Sequence, residues 1–352
     1  MANLKIGVPL SMGDGVENDV IKAKDFASDQ VVRWCPGCGD YAILKAVQKT
    51  LADVGARRSD TVFISGIGCS SRFPYYMSTY GFHTIHGRAP AVATGLKLTR
   101  PDLDVWVITG DGDGLSIGGN HLIHILRRNV GVKILLFNNR IYGLTKGQYS
   151  PTSERGKVTG STPWGSIDQP LNPLSVAVGC EGSFVARAID IQGKHLQATM
   201  ARAHAFSGTA FVELWQNCNI FNDQTFAEDV AKEVASDRLL TLEHGQPMIF
   251  GKERDKGIRM DGASPRVVTI GNGLTADDLL VHDEQAQDAS LAFMLSRFEL
   301  NPGFPAPIGV LRAVERPTYE MDLAHQLLEA DSKKGPGELD SLLQSGDVWR
   351  VT

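Results

Sequence analysis

Two short apolar runs, each ending in a cluster of ligand-type polar residues, constrain this chain more than any other feature. Residues 105–109 (VWVIT) run into Gly110-Asp111-Gly112-Asp113-Gly114, and 132–137 (VKILLF) run into Asn138-Asn139. A helix-forming segment, 116–128, separates them. Strand, helix and strand in that order bring the chain back to a neighbouring parallel strand, so Asp111 and Asn139 can converge. Carboxylate and amide oxygens suit a hard cation such as magnesium, which takes few protein ligands and completes its shell with phosphate oxygens and water. Glycines permit close backbone approach, and amides at a helix start favour anions. The segment reads as a metal-held diphosphate site, with Asp111 and Asn139 as ligands and Asp113 behind them. A plain strand exit is one alternative. A loose dinucleotide loop, Gly112-x-Gly114-x-x-x-Gly118, is another, but two acids would repel an unmetallated pyrophosphate.

The alternation extends over much of the chain. Helical spacing predicts helices over 41–54, 89–98, 174–178 and 195–206. Strands are expected at 61–65, 184–188 and 209–214. The expected fold class is α/β, a doubly wound, mostly parallel sheet with a C-terminal extension. Ligands of such sheets sit beyond the carboxyl ends of the strands, where loops 66–72, 110–114 and 138–145 fall. The Gly-, Pro- and Ser-rich stretch 145–172 reads as a long ordered loop or lid. Three regions are expected: an N-terminal extension (1–30), an α/β domain carrying the site (31–225), and an extension (226–352) that packs on the core or on a partner. The last region offers one fair strand (267–270) and one fair helix (289–298).

Composition excludes some functions. A chain of 352 residues with 42% hydrophobic residues supports a large core, and its net charge of -5 gives no basic footprint for nucleic acid. No apolar run reaches the roughly 20 residues of a membrane span. The opening MANLKIGVPLSMGDGVEND has no charged segment followed by an apolar one, so no signal peptide and a cytoplasmic location are expected. Five cysteines, two of them in Cys35-Pro-Gly-Cys38, argue against a disulfide scaffold and for a metal or redox site. Cys35 and Cys38 with Cys69 and Cys218 can supply four thiolates. Spacing alone leaves a [4Fe–4S] cluster, zinc and a redox dithiol open. Cys180 reads as a small buried residue.

Together, Trp34-Cys35-Pro36-Gly37-Cys38-Gly39, Gly66-Ile67-Gly68-Cys69-Ser70, His86-Gly87-Arg88-Ala89, Gly110-Asp111-Gly112-Asp113 and Asn138-Asn139-Arg140-Ile141-Tyr142-Gly143-Leu144 resemble the β subunit of 2-oxoacid:ferredoxin oxidoreductases. The likeness covers about residues 30–225 and is nearest the 2-oxoglutarate enzymes. It implies the thiamine diphosphate-binding fold. It makes Asp111, Asn139 and the Ile141 carbonyl the magnesium ligands, with Gly112 and Asp113 offering amides to the diphosphate. Gly143 and Leu144 would line the cofactor, Leu144 as an apolar wedge. Ile67, Gly68, Cys69 and Ser70 would border its rings, and His86 would hydrogen-bond a phosphate. The resemblance also makes Cys35, Cys38, Cys69 and Cys218 ligands of a [4Fe–4S] cluster. Arg72, where many relatives carry lysine, is a candidate to hold the substrate carboxylate.

The activity so implied is reversible, coenzyme A-dependent oxidative decarboxylation of a 2-oxoacid, with 2-oxoglutarate giving succinyl-CoA and carbon dioxide and electrons passing to ferredoxin. Reversal would fix carbon dioxide. Only one diphosphate motif is present, so the glutamate that activates the pyrimidine is expected from a partner α subunit, in a dimer of heterodimers. The rivals are a pyruvate or broad-specificity enzyme of the same family and, more distantly, a zinc or dithiol protein without thiamine.

Overall fold

The computed structural model describes residues 21–351, so most of the expected N-terminal extension lies outside the described residues. Its last part includes a short turn of helix, Ala23–Phe26, whose Phe26 is buried. The main elements follow in chain order: α1 (Asp40–Asp53), β1 (Thr61–Ser65), β2 (Tyr80–His83), α2 (Ala89–Thr99), β3 (Asp104–Gly110), α3 (Gly119–Arg128), β4 (Val132–Asn138), α4 (Pro173–Gly179), β5 (Phe184–Ile189), α5 (Gly193–Ala205) and β6 (Ala210–Trp215). Each expected strand and helix up to residue 215 is present within a residue or two, save the helix after β3. There a π-helical turn, Asp113–Ile117, precedes α3, and extra turns of this kind recur at functional sites.

Strands β1 to β6 pair in parallel, and side chains alternate between the two sheet faces. Val62, Val105, Val107, Ile134 and Leu136 enter one apolar cluster with α2 to α4. Phe63, Trp106, Ile108, Leu135 and Phe137 enter the other with Ile43 and Val47 of α1 and Leu196 and Met200 of α5. Both faces are thus largely apolar, which is why these strands read as mainly apolar runs, interrupted by the buried charged side chains of Lys133, Arg187 and Glu213. Edge strand β2, fully exposed and interrupted by Gly81, carries no such signal.

The stretch after 225 contributes β7 (Leu239–Thr241), β8 (Ile249–Phe250), β9 (Lys256–Asp261), β10 (Ser264–Thr269) and β11 (Ala306–Ala313). Strands β8, β9 and β10 form a separate antiparallel sheet. Strand β11 lies antiparallel beside β5 with β7 beyond it, giving the main sheet the order β2-β1-β3-β4-β6-β5-β11-β7. The last region therefore extends the sheet itself as well as covering it. Pro307 and Gly309, the latter at φ +100°, break the apolar pattern of β11 and hide it from sequence reading. Among the described residues, no helix is long and apolar enough to cross a membrane.

A buried ionic cluster ties this region to the parallel strands. Arg187 on β5 donates from Nε to Glu213 Oε2 on β6 at 2.7 Å and from Nη2 to Glu299 Oε1 at 2.8 Å, and it stacks 4.5 Å over Trp215. Glu213 Oε1 accepts from Asn138 Nδ2 at 2.7 Å, at the carboxyl end of β4. Removing one partner strands buried charge, so Arg187→Met should destabilise the chain by about 3–5 kcal/mol, read from its urea midpoint. An unchanged midpoint would contradict this account of how the region is anchored.

Candidate active site

The sheet order places a topological switch beside β1: β2 lies on one side of it, β3 and β4 on the other. Loops leaving the carboxyl ends of β1, β3 and β4 diverge there and leave a crevice. The crevice is a small cavity that opens to solvent. It is lined by Ile67, Gly68, Cys69, Ser70, His86, Asp111, Gly112, Asp113, Asn139, Ile141, Gly143 and Leu144, together with Gly110, Phe137, Tyr142 and Thr145. Gly68 stands at φ +143° with open space where a side chain would begin, so the loop after β1 presents bare backbone to the cavity. Leu144 is half-exposed for an apolar residue and lines the wall.

Asp111 and Asn139 leave adjacent strand tips because Gly110 pairs with Phe137. Asp111 is buried, and its Oδ2 accepts from Ser150 Oγ at 2.5 Å and Thr152 Oγ1 at 2.6 Å. Burial nevertheless pushes its carboxyl up to about 6. A cation placed beside this carboxylate would offset that penalty. Asn139 Oδ1 accepts from the Ile141 amide at 3.2 Å, and Asn139 Nδ2 donates to Gln216 Oε1 at 2.7 Å. Arg140 between them adopts a left-handed φ of +56° and is anchored by Glu154 at 3.0 Å and by the Phe226 ring at 4.4 Å. A side chain at Gly112 would overlap the Tyr142 ring, whose hydroxyl donates to the Gly112 carbonyl at 3.0 Å.

Asp113 plays a different part. Its Oδ1 accepts from the amides of Ile67 (3.1 Å) and Gly87 (2.7 Å) and lies 2.5 Å from His86 Nδ1, while its Oδ2 accepts from Thr109 Oγ1 at 2.6 Å. A side chain at Gly66 would overlap this carboxylate. The carboxylate therefore clamps the loop after β1 to the His86-Gly87 turn. His86 spends Nδ1 on this clamp, its Nε2 makes no hydrogen bond among the described residues, and the residue lines the cavity.

Three sulfur-bearing loops meet beside the cavity. Trp34 Nε1 donates to the Cys69 carbonyl at 2.6 Å, Asn219 Nδ2 to the Pro36 carbonyl at 2.7 Å, and the Gly39 amide to the Asn217 carbonyl at 3.1 Å. A Cβ on Gly143 would lie 3.5 Å from Cys218 Sγ and 3.6 Å from Cys69 Sγ, so these two sulfurs flank a residue of the cavity wall. Burial pushes Cys69 up to about 12 and Cys38 up as well, with Asp40 and the neighbouring thiols adding to it. Among the described residues, no three His, Cys, Asp or Glu side chains are spaced to enclose a single metal ion. Cys180 packs against the core on the opposite face of the sheet from Cys38 and Cys69. Arg72 is half-buried one turn beyond Cys69, where its charge bears on that sulfur, and it does not line the cavity.

Sequence reasoning missed Ser150, Thr152, Tyr142 and Gln216. The first two belong to the 145–172 loop, where nothing distinguishes them from other hydroxyl residues.

The two acids should respond oppositely to neutralisation. Hydroxyls can turn to accept from an amide, whereas the backbone amides facing Asp113 cannot. Asp113→Asn should lower stability by about 1–3 kcal/mol. Asp111→Asn should leave the metal-free unfolding midpoint unchanged or raised. Because the folded carboxyl titrates above its ordinary 3.8, metal-free stability should fall as pH rises from there through about 6, and Asp111→Asn should remove that dependence. Urea titrations across pH check both; equal losses in the two variants would contradict the division of labour.

Residues 66–214 match the family described as "Thiamine pyrophosphate enzyme, C-terminal TPP binding domain". The chain is 53% identical over 332 residues to the 2-oxoglutarate oxidoreductase subunit KorB of Mycobacterium tuberculosis, covering 94% of this chain and 88% of that protein. It is 44% identical over 210 residues to subunit beta of 2-oxoacid:ferredoxin oxidoreductase 1 of Aeropyrum pernix, covering 60% of this chain and 64% of that one. A solved structure of 2-oxoglutarate:ferredoxin oxidoreductase from Magnetococcus marinus, with 2-oxoglutarate, coenzyme A and succinyl-CoA bound, superposes with a TM-score of 0.72 at 34% identity, over 92% of this chain and 94% of that one. By this identity over nearly its whole length, the chain belongs to the β subunits of the 2-oxoacid:ferredoxin oxidoreductases.

Proposed function

We propose that this chain is the thiamine diphosphate- and iron–sulfur-bearing subunit of a 2-oxoglutarate:ferredoxin oxidoreductase. The observation that carries the reading is the single cavity lined by both Asp111 and Asn139, with Cys69 in the same wall. Asp111, the Asn139 amide oxygen and the Ile141 carbonyl hold magnesium. The amides of Gly112 and Asp113 and the free nitrogen of His86 face the diphosphate. Ile67, Gly68, Cys69, Ser70, Gly143 and Leu144 border the rings, with Leu144 as wedge. When bound, thiamine diphosphate supplies the carbon nucleophile and electron sink for decarboxylation, and an iron–sulfur cluster accepts single electrons.

Cys35, Cys38, Cys69 and Cys218 hold the cluster in this reading. The four thiols lie close enough to bear on one another's ionisation, which places them around one common centre in this reading. Iron would also draw buried, hard-to-ionise thiols into the thiolate form. Arg72 makes no side-chain hydrogen bond among the described residues and remains available for a substrate carboxylate. Residues 31–225 carry the site, and 226–352 brace it through β11 and Glu299. The partner α subunit supplies the pyrimidine-side glutamate, in a dimer of heterodimers that hands electrons to ferredoxin in the cytoplasm.

Anaerobically purified enzyme should be brown and bleach with dithionite, and should form succinyl-CoA from 2-oxoglutarate faster than acetyl-CoA from pyruvate. Asp111→Ala should abolish magnesium-dependent thiamine diphosphate binding in calorimetry and keep the colour. Cys218→Ser should do the reverse. A colourless protein holding one zinc would overturn the assignment, and a preference for pyruvate would move it to the sister activity.

A further inference from the structure

Gln216 follows β6 directly, is 1% exposed, and touches both halves of the site. Its Oε1 accepts from Asn139 Nδ2 at 2.7 Å. Its Nε2 donates to Cys38 Sγ at 3.2 Å and to the Asn217 carbonyl at 2.7 Å. Backbone groups fix the polarity of this relay from both ends. The Asn217 carbonyl can only accept, so the Gln216 amide nitrogen must face it. The Ile141 amide can only donate, so the Asn139 oxygen must face that amide. Reversing either side-chain amide would oppose two oxygens or two N–H groups in a buried place, which is costly. The Gln216 backbone is pinned as well, its amide donating to the Asn138 carbonyl at 3.0 Å.

We infer that Gln216 is a positioning residue that joins the two cofactor sites, orienting the Asn139 carbonyl oxygen as a metal ligand and giving an N–H to the Cys38 sulfur. This rests on the assignment of magnesium–thiamine diphosphate and a cluster to the two sites, and it adds a residue that neither motif contains. Groups behind the metal ligands set ligand orientation, and their loss typically weakens metal affinity about 10- to 100-fold. Hydrogen bonds to cluster sulfurs withdraw negative charge and raise the reduction potential.

Two variants of the assembled enzyme separate the roles. Q216E keeps an acceptor for Asn139 but deletes the N–H to sulfur and adds negative charge. Q216M, unbranched and of similar length, deletes both. The cluster potential, read by electron paramagnetic resonance during dithionite titration, should move to more negative values in both. Calorimetric affinity for magnesium–thiamine diphosphate should fall about tenfold or more in Q216M and stay near wild type in Q216E. A role limited to packing would move neither the potential nor this split. A wild-type potential in Q216E, or wild-type cofactor affinity in Q216M, overturns the inference. Should Q216E fail to assemble, Q216M alone decides: both readouts must shift together. Wild-type enzyme lacking iron and thiamine affinity would overturn the underlying assignment instead.

Discussion

Everything at the site depends on the register of two parallel strands buried on both faces. With apolar helices covering the sheet above and below, the polar groups of the site gather at the strand ends. Pairing Gly110 with Phe137 sets Asp111 and Asn139 at neighbouring tips. A slip of one residue would turn each strand's apolar set onto the wrong face, so core packing and site geometry are enforced by the same register.

A second layer of polar residues holds those tips still. Thr152 Oγ1 lies between Asp111 and Asn138, Asn138 reaches Glu213, and Glu213 pairs with Arg187, which grips Glu299 from the last third of the chain. The path runs from the candidate metal ligand to a region outside the shared motifs. Asp113 anchors the other wall through four donors. Asp111 bears the unfavourable burial, as expected where stability is traded for binding.

The parallel half of the fold was legible because its strands are apolar on both faces and its helices keep their spacing. Strand β11 was not, since Pro307 and Gly309 interrupt it and its partner β5 lies far away in the chain. At the site, residue types with intrinsic ligand chemistry stood out: Asp111, Asn139 and the cysteines. Ser150, Thr152 and Gln216 did not, because a hydroxyl or amide gains its role from what folding sets beside it. Asp113 was visible as an acid, yet its use as a clamp depends on the backbone amides of Ile67 and Gly87, which no sequence pattern displays.

The central claim is that Asp111 and Asn139 share one divalent cation next to a four-cysteine iron centre. Anomalous diffraction from anaerobic crystals of the assembled enzyme, grown with thiamine diphosphate and manganese in place of magnesium, tests it most directly. The account predicts a manganese peak between Asp111 and Asn139, and an iron peak enclosed by Cys35, Cys38, Cys69 and Cys218. Manganese bound elsewhere, or no iron among those sulfurs, would contradict it.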